Sequence, residues 1–200
     1  DPVGVFHQAL EKVMPQIETI LKAKIPIVST TEELSYPAGK NRSLGKKIDE
    51  LARRAKVAVL GTGVNPGFVM DALPIALTGV CERVDSIRID RVQDARVRRL
   101  PFQQKIGSGL TTEQFQKKVA DQSVRHVGLT ESVTMIADAC GWKLDKITDN
   151  IKPKIAEQTV ESEISNQIDA SQLDGLILSS IPFFFFFVLP KTQSNLFFFF

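Results

Sequence analysis

The chain has 200 residues, a formal net charge of +2 and 24% charged residues. This length suits one large or two small domains with a sizeable core, and the weak net charge argues against a nucleic acid or a membrane surface as partner. The two cysteines form no CxxC motif, and the two histidines are not spaced with them as metal ligands. No basic segment precedes an apolar one at the start. We therefore expect a cytoplasmic protein without a resident metal.

The first part of the chain alternates between short apolar runs and segments with helical spacing. The pattern predicts strands at 3–6, 25–28 and 56–60, and helices at 9–23, 43–55 and 66–78. The third helix is expected to open at Asn65, with Pro66 in its first turn. Short connections between alternating strands and helices indicate a parallel sheet covered by helices.

The pattern changes after about residue 80. Alternating polarity predicts a strand at 83–93 and one or two long strands at 142–161. Between them we expect a basic loop at 96–109, a helix capped by Thr111 or Thr112, and a helix at 130–139 that Gly141 ends. The fold class is therefore α/β: part of a parallel sheet at 1–79, then an α+β domain with a mostly antiparallel sheet at 80–175.

Both ends of the chain are unusual. It starts without Met, in what reads as a strand already under way, so we expect it to begin inside a domain. At the other end, 183–187 and 197–200 are runs of Phe. The apolar stretch at 176–189 is shorter than the roughly 20 residues of a membrane-spanning helix. A sequence artefact is the preferred explanation of the tail at 176–200, and a membrane anchor is the alternative.

The glycine-rich segment GTGVNPG at 61–67 follows a predicted buried strand. Gly61 and Gly63 allow a tight turn and the close approach of a ligand. Ligands of open α/β sheets bind at the carboxyl ends of strands, which places this loop in a candidate site. The spacing is not that of a dinucleotide-binding GxGxxG motif. A plain strand-to-helix turn explains the segment equally well.

Three further segments contain residues that can carry chemistry. The first is the basic segment at 98–109. In it, Lys105 can donate a proton and the Gly107–Gly109 turn can hold a carboxylate. The second is the polar loop at 29–37, after a predicted strand. The third contains His126 and Glu131 near a helix start, where the helix dipole favours a carboxylate. Each has a structural alternative: a solvated loop for the first two, and packing or capping for the third.

Four of these segments together resemble a known family. They are STTEELSYP, VLGTGVNPGFVMD, RVQDARVRRLPFQQKIGSGL and HVGLTES. The chain resembles, over about residues 10–160, the dihydrodipicolinate-reductase-like NAD(P)-dependent oxidoreductases, and among them most closely the 2,4-diaminopentanoate dehydrogenases. Members have an N-terminal Rossmann domain and a C-terminal α+β domain whose sheet mediates oligomerisation.

The resemblance implies hydride transfer between NAD or NADP and a small amino-acid-like substrate. It implies that Lys105 acts as acid, with Arg98, Arg99, Ser108 and Gly109 binding the substrate. It places Ser29, Thr30, Gly61, Thr62 and Asn65 at the cofactor. Arginines stand where dihydrodipicolinate reductases have a histidine pair, which favours an amino-acid dehydrogenase over a reductase of lysine biosynthesis. The latter remains an alternative.

The same resemblance implies that the chain is incomplete. The GxGxxG loop that holds the pyrophosphate in the family does not occur in this sequence. We therefore expect about 65 residues of the Rossmann domain to precede residue 1. The chain alone is then expected to be inactive, and the full-length enzyme to be a homo-oligomer. An anion-binding module without enzymatic activity is the remaining alternative.

Overall fold

A computed structural model describes residues 10–91, 100–121, 127–157, 159–162, 166–168, 173–183 and 195–199. The helices are α1 (Leu10–Lys22), α2 (Arg42–Ala55), α3 (Ala72–Thr78), α4 (Leu100–Ile106), α5 (Thr112–Ala120) and α6 (Leu129–Ala139). The strands are β1 (Ile27–Ser29), β2 (Val59–Gly61), β3 (Ser86–Asp90), β4 (Lys146–Ile155), β5 (Val160–Ser162), β6 (Asn166–Ile168), β7 (Leu173–Phe183) and β8 (Asn195–Phe199). The predicted strand at 3–6 lies outside the described residues.

The chain divides into two compact units. The first contains residues 1–90, 127–147 and 182–200, and the second contains residues 91–126 and 148–181. In the second unit, the buried Phe115 of α5 packs with Val119 and Ile151. The sequence-based division into domains at 1–79, 80–175 and 176–200 stays a prediction.

The parallel pair β1–β2 and the helices α1 and α2 form the main core of the first unit. Ile27 pairs with Val59, Val28 with Leu60 and Ser29 with Gly61. Apolar side chains at helical spacing along α1 are buried against this pair and against α2. The buried residues of this cluster are Leu10, Val13, Met14, Ile17, Leu21, Ile27, Leu34, Ile48 and Ala52. The fold is thus α/β with a small parallel sheet, as the alternation predicted.

The helix expected to open at Asn65 begins later. Residues 65–71 form turns, the Asn65–Pro66 peptide bond is cis, and α3 starts at Ala72. The Asp71 carboxylate accepts the Ala72 N–H, which caps α3. The prediction of a helix from Pro66 was wrong because Asp71, not Asn65, provides the N-terminal cap.

The predicted basic loop also contains a helix. Leu100–Ile106 is α4, so the expectation of a loop across 96–109 was wrong for this part. Pro101 lies in the first turn of α4, where proline is favoured. Gly107 follows the last residue with a left-handed φ of 81°.

The helices α5 and α6 agree with the sequence pattern. Thr111 caps α5, with a capping box to Gln114, and Gly141 follows α6 with φ 68°. The long strand β4 lies within the predicted strand region. Strands β5 and β6 are antiparallel, while β3 and β8 are parallel. In the described part of the chain, no helix has the length and apolarity needed to cross a membrane.

Candidate functional site

Two loops meet at the carboxyl edge of the β1–β2 pair. Ser29 ends β1 and Gly61 ends β2, and the two residues are partners in the parallel register. The Thr62 N–H continues the pairing by donating to the Ser29 carbonyl oxygen at 2.9 Å. The structure therefore brings together Ser29, Gly61 and Thr62, three of the residues that the family resemblance placed at a cofactor.

The loop after β1 is shaped by its own hydroxyl groups. The Ser29 hydroxyl donates to Thr31 Oγ1 at 3.0 Å and accepts the Thr31 N–H at 3.2 Å. Thr31 is buried, whereas Thr30 is exposed. Further along, a Glu33 carboxylate oxygen accepts the Leu10 N–H at 2.7 Å and so satisfies the start of α1. Within this loop, Thr30 thus presents its side chain to solvent.

The glycines of the second loop are required by close contacts within the chain. A Cβ on Gly61 would overlap the Leu34 carbonyl, and one on Gly63 would lie 2.7 Å from the Pro66 oxygen. Gly67 has a φ of +115°, and a Cβ there would overlap the Gly63 nitrogen. The room beside these glycines is therefore filled by backbone, so their small size lets the loop fold back on itself.

Asp71 fixes the end of the GTGVNPG loop through hydrogen bonds. One of its oxygens, Oδ2, accepts the Gly67 N–H at 2.8 Å and the Ser132 hydroxyl at 2.7 Å. Its other oxygen accepts the Ala72 N–H at 2.5 Å. Asp71 has 0% exposure and Ser132 has 2%, so the group is closed to solvent. Charged acceptors in such surroundings make short, strong hydrogen bonds.

Asn65 has a polar atom without a partner at the turn of the same loop. Within the residues that the structure describes, its Oδ1 is buried and accepts no hydrogen bond. Buried acceptors are nearly always satisfied, and an orphaned one often marks a place for a ligand or water. Asn65 is therefore the side chain in this loop with an unmet need for an N–H or O–H donor.

The Gly107–Gly109 turn is closed by backbone hydrogen bonds. The Gly107 N–H donates to Gln104 O at 3.1 Å, and the Ser108 N–H donates to Gln103 O at 3.0 Å. The Leu110 N–H donates to the Gly107 oxygen at 3.1 Å. The Gly107 and Ser108 amides are therefore already paired, so a carboxylate at this turn would rely on other donors, such as the Gly109 N–H or the Ser108 hydroxyl.

Only some of the remaining predicted site residues lie in the part of the chain that the structure describes. Arg98, Arg99 and His126 lie outside the described residues. The backbone of Lys105 lies in the last turn of α4. Glu131 lies in the first turn of α6, as its position near a predicted helix start suggested, and the structure shows it to be buried. Searched over the described ranges, the chain contains no group of three or more metal-ligating side chains.

Sequence reasoning missed three residues that shape the site. They are Asp71, Ser132 and Gly128. Asp71 stands directly before an apolar helical run, which is the ordinary signal of an N-cap and could have been found. Ser132 and Gly128 meet the loop across more than 60 residues of sequence, and no local pattern indicates that contact.

Comparison with known families identifies the class of protein. The model of the 2,4-diaminopentanoate dehydrogenase C-terminal domain matches residues 68–178, more than half of the chain. The chain belongs to this family. Its match begins at Phe68, directly after the GTGVNPG loop, and includes Asp71 and Ser132.

Individual relatives agree with the family. The chain is 42% identical over 148 residues to the 2,4-diaminopentanoate dehydrogenase of Acetoanaerobium sticklandii, covering 73% of this chain and 42% of that protein. The solved amine dehydrogenase of Mycobacterium smegmatis shares the fold, with a TM-score of 0.70 at 18% identity. That alignment covers 86% of this chain and 51% of the other. The chain thus spans about half the length of the proteins it matches, or less.

Proposed function

We propose that the protein carrying this chain is an NAD(P)-dependent amino-acid dehydrogenase of the 2,4-diaminopentanoate dehydrogenase type. The observation that carries the proposal is the junction of the Ser29 and Gly61 loops at the carboxyl edge of a parallel pair. This is the edge at which open α/β sheets bind their ligands. The family membership and the 42% identical dehydrogenase support the same activity.

The residues at this edge suit the nicotinamide end of a cofactor. The orphaned Asn65 Oδ1 can accept a hydrogen bond from a carboxamide N–H, which nicotinamide carries. Thr30 and Thr62 add hydroxyl groups on the two loops that meet at this edge. When bound, the nicotinamide would accept or supply a hydride. We propose Ser29, Thr30, Gly61, Thr62 and Asn65 as its binding residues, and NAD or NADP as the cofactor.

The substrate side is proposed on residues of the basic segment. Lys105 would donate a proton to, or accept one from, the nitrogen of the substrate's amine or imine group. Arg98 and Arg99 would pair with a substrate carboxylate. Ser108 and Gly109 would complete the contacts to the substrate. Two arginines suit an anionic amino acid, because guanidinium groups bind carboxylates in a fixed bidentate geometry.

The finer architecture is part of the same proposal. Residues 1–79 would belong to a Rossmann-type dinucleotide-binding domain, and residues 80–175 to an α+β domain with a mostly antiparallel sheet. The antiparallel β5–β6 pair agrees with such a sheet. We further propose a cytoplasmic homo-oligomer that acts on a small molecule.

The role of Lys105 gives the sharpest test of this function. Nicotinamide absorbance would be followed during oxidation of 2,4-diaminopentanoate by wild type, Lys105→Ala and a control, Lys117→Ala. Lys117 is an exposed lysine of α5. Loss of a general acid or base lowers kcat by roughly 10²–10⁴-fold. We expect that loss for Lys105→Ala and little change for Lys117→Ala; equal rates in all three proteins would refute the Lys105 role.

A further inference from the structure

The Asp71 carboxylate is a buried ionisable group that the proposed reaction does not use. It makes its three hydrogen bonds to groups from different parts of the first unit: the Gly67 and Ala72 amides and the Ser132 hydroxyl. The Ala72 contact is the one that caps α3. The other two bonds join the end of the GTGVNPG loop to the interior of α6.

A second contact joins the same two elements. Gly128 precedes α6 with a φ of +99°, and a Cβ at that position would lie 2.5 Å from Pro66 Cγ and 2.6 Å from Cδ. The Pro66 ring therefore rests directly on the start of α6. Pro66 also directly follows Asn65, whose buried Oδ1 accepts no hydrogen bond from the described residues. The loop is thus fixed at Pro66 and at Gly67, the two residues that follow Asn65.

We propose that Asp71 is a positioning residue: through Gly67 and Ser132 it fixes the loop on α6 and so holds Asn65 and Thr62 in the geometry that binds the cofactor. This inference rests on the proposed function. Both Asp71 and Ser132 lie inside the segment matched by the family model, and Gly67 lies one residue before it. The bond therefore ties the cofactor loop to the domain that defines the family.

The test compares Asp71→Asn, Ser132→Ala and the double variant in the protein that carries this chain. Asn offers one acceptor where the carboxylate offers two, so at least one of the three donors loses its partner. Thr78→Val is the control, since it removes a hydroxyl of α3 that donates only to the nearby Ile75 oxygen. Calorimetry gives the Kd for the reduced nicotinamide cofactor, steady-state kinetics give KM and kcat, and urea titration gives stability.

We expect Asp71→Asn to raise the Kd and KM for the cofactor about tenfold to a hundredfold, because small displacements of binding groups cost that much. Ser132→Ala should raise the Kd and KM for the cofactor less than Asp71→Asn does. The double variant should have values only slightly above those of Asp71→Asn, since both substitutions affect the same Ser132–Asp71 hydrogen bond. Ser132→Thr should retain most of the affinity. The control should bind like wild type, and the KM for the amine should change less than that for the cofactor.

The outcomes separate this inference from the function beneath it. If wild type binds a nicotinamide cofactor but the folded variants bind it equally well and lose only stability, the positioning role is wrong and the function stands. If Asp71→Asn does not fold, Ser132→Ala decides in the same way. If wild type binds neither NAD(H) nor NADP(H), both the inference and the proposed function are overturned.

Discussion

Replacing Gly61 with Ala tests the packing that creates the site. Gly61 ends β2, pairs with Ser29, and lies directly against the 3-10 turn at Glu32–Leu34. An added Cβ would overlap the Leu34 oxygen, and would lie 2.5 Å from the Leu34 carbonyl carbon and 2.9 Å from the Ser35 nitrogen. All three atoms are backbone, so no side chain can rotate away to make room.

The size of the effect follows from this overlap. Carbon atoms attract at about 3.5–4 Å, so the strand end and the 3-10 turn would have to separate by about 1 Å. Overpacking in well-packed regions costs about 1–3 kcal/mol, and rigid backbone on both sides argues for the upper end, about 3 kcal/mol. That corresponds to a change of roughly a hundredfold in the ratio of folded to unfolded protein.

Urea unfolding measures this cost, with Gly79→Ala as the matched control. Gly79 has an ordinary φ of −61°, and an added Cβ would meet one atom, the Ala76 oxygen at 3.2 Å. We expect Gly79→Ala to stay within about 0.5 kcal/mol of wild type. If Gly61→Ala is as stable as Gly79→Ala, then the Ser29 and Gly61 loops do not pack as described, and the geometry of the candidate site is wrong.

Three further predictions concern individual side chains. Lys56→Gly should raise the free energy of unfolding by about 0.5–1 kcal/mol in urea titrations, because Lys56 ends α2 in the left-handed region at φ 58°; Lys56→Ala should bring no gain. Thr111→Ala should lower it by about 1 kcal/mol by removing the capping box of α5, and Thr111→Ser should not. Burial, and then the 2.6 Å hydrogen bond to Asp138, raise the pKa of Tyr36 to about 12. The stability that the raised pKa contributes is present below pH 10 and lost as the pH rises through 12. The difference in phenolate absorbance between wild type and Tyr36→Phe measures the midpoint, and Asp138→Asn should lower it. A midpoint for wild type at the ordinary value of 10 would contradict that contact.

Local signals in the sequence predicted the features that depend on neighbouring residues. The Thr111 cap and the end of α6 at Gly141 were found because a cap and a left-handed glycine act within one turn of helix. The parallel pairing of β1 and β2 followed from the alternation of strands and helices. This part of the fold could be read from spacing, since hydrophobic periodicity dictates which faces are buried.

The errors arose where two signals competed. Asn65-Pro66 reads as a helix start, but the chain stays in turns until Asp71 caps α3. In the basic segment, charge and the later glycines favoured a loop, although Pro101 is well placed for the first turn of a helix.

The candidate site was predictable only in part. The loops after β1 and β2 were expected at one edge because the carboxyl ends of neighbouring parallel strands lie together, and the family resemblance singled out Ser29, Gly61 and Thr62 within them. The bond from Ser132 to Asp71 spans 61 residues, and the contact of Pro66 with Gly128 depends on how α6 docks. Such contacts are products of tertiary packing and have no signature in a single sequence.

The reduction of a nicotinamide cofactor by an amine substrate tests the proposed dehydrogenase activity. The full-length protein that carries this chain would be mixed with 2,4-diaminopentanoate and either NAD or NADP, and the formation of reduced cofactor would be followed by absorbance. We expect amine-dependent reduction of at least one of the two cofactors, and none when the amine is omitted. Tight binding of the amine with no reduction of either cofactor would contradict it.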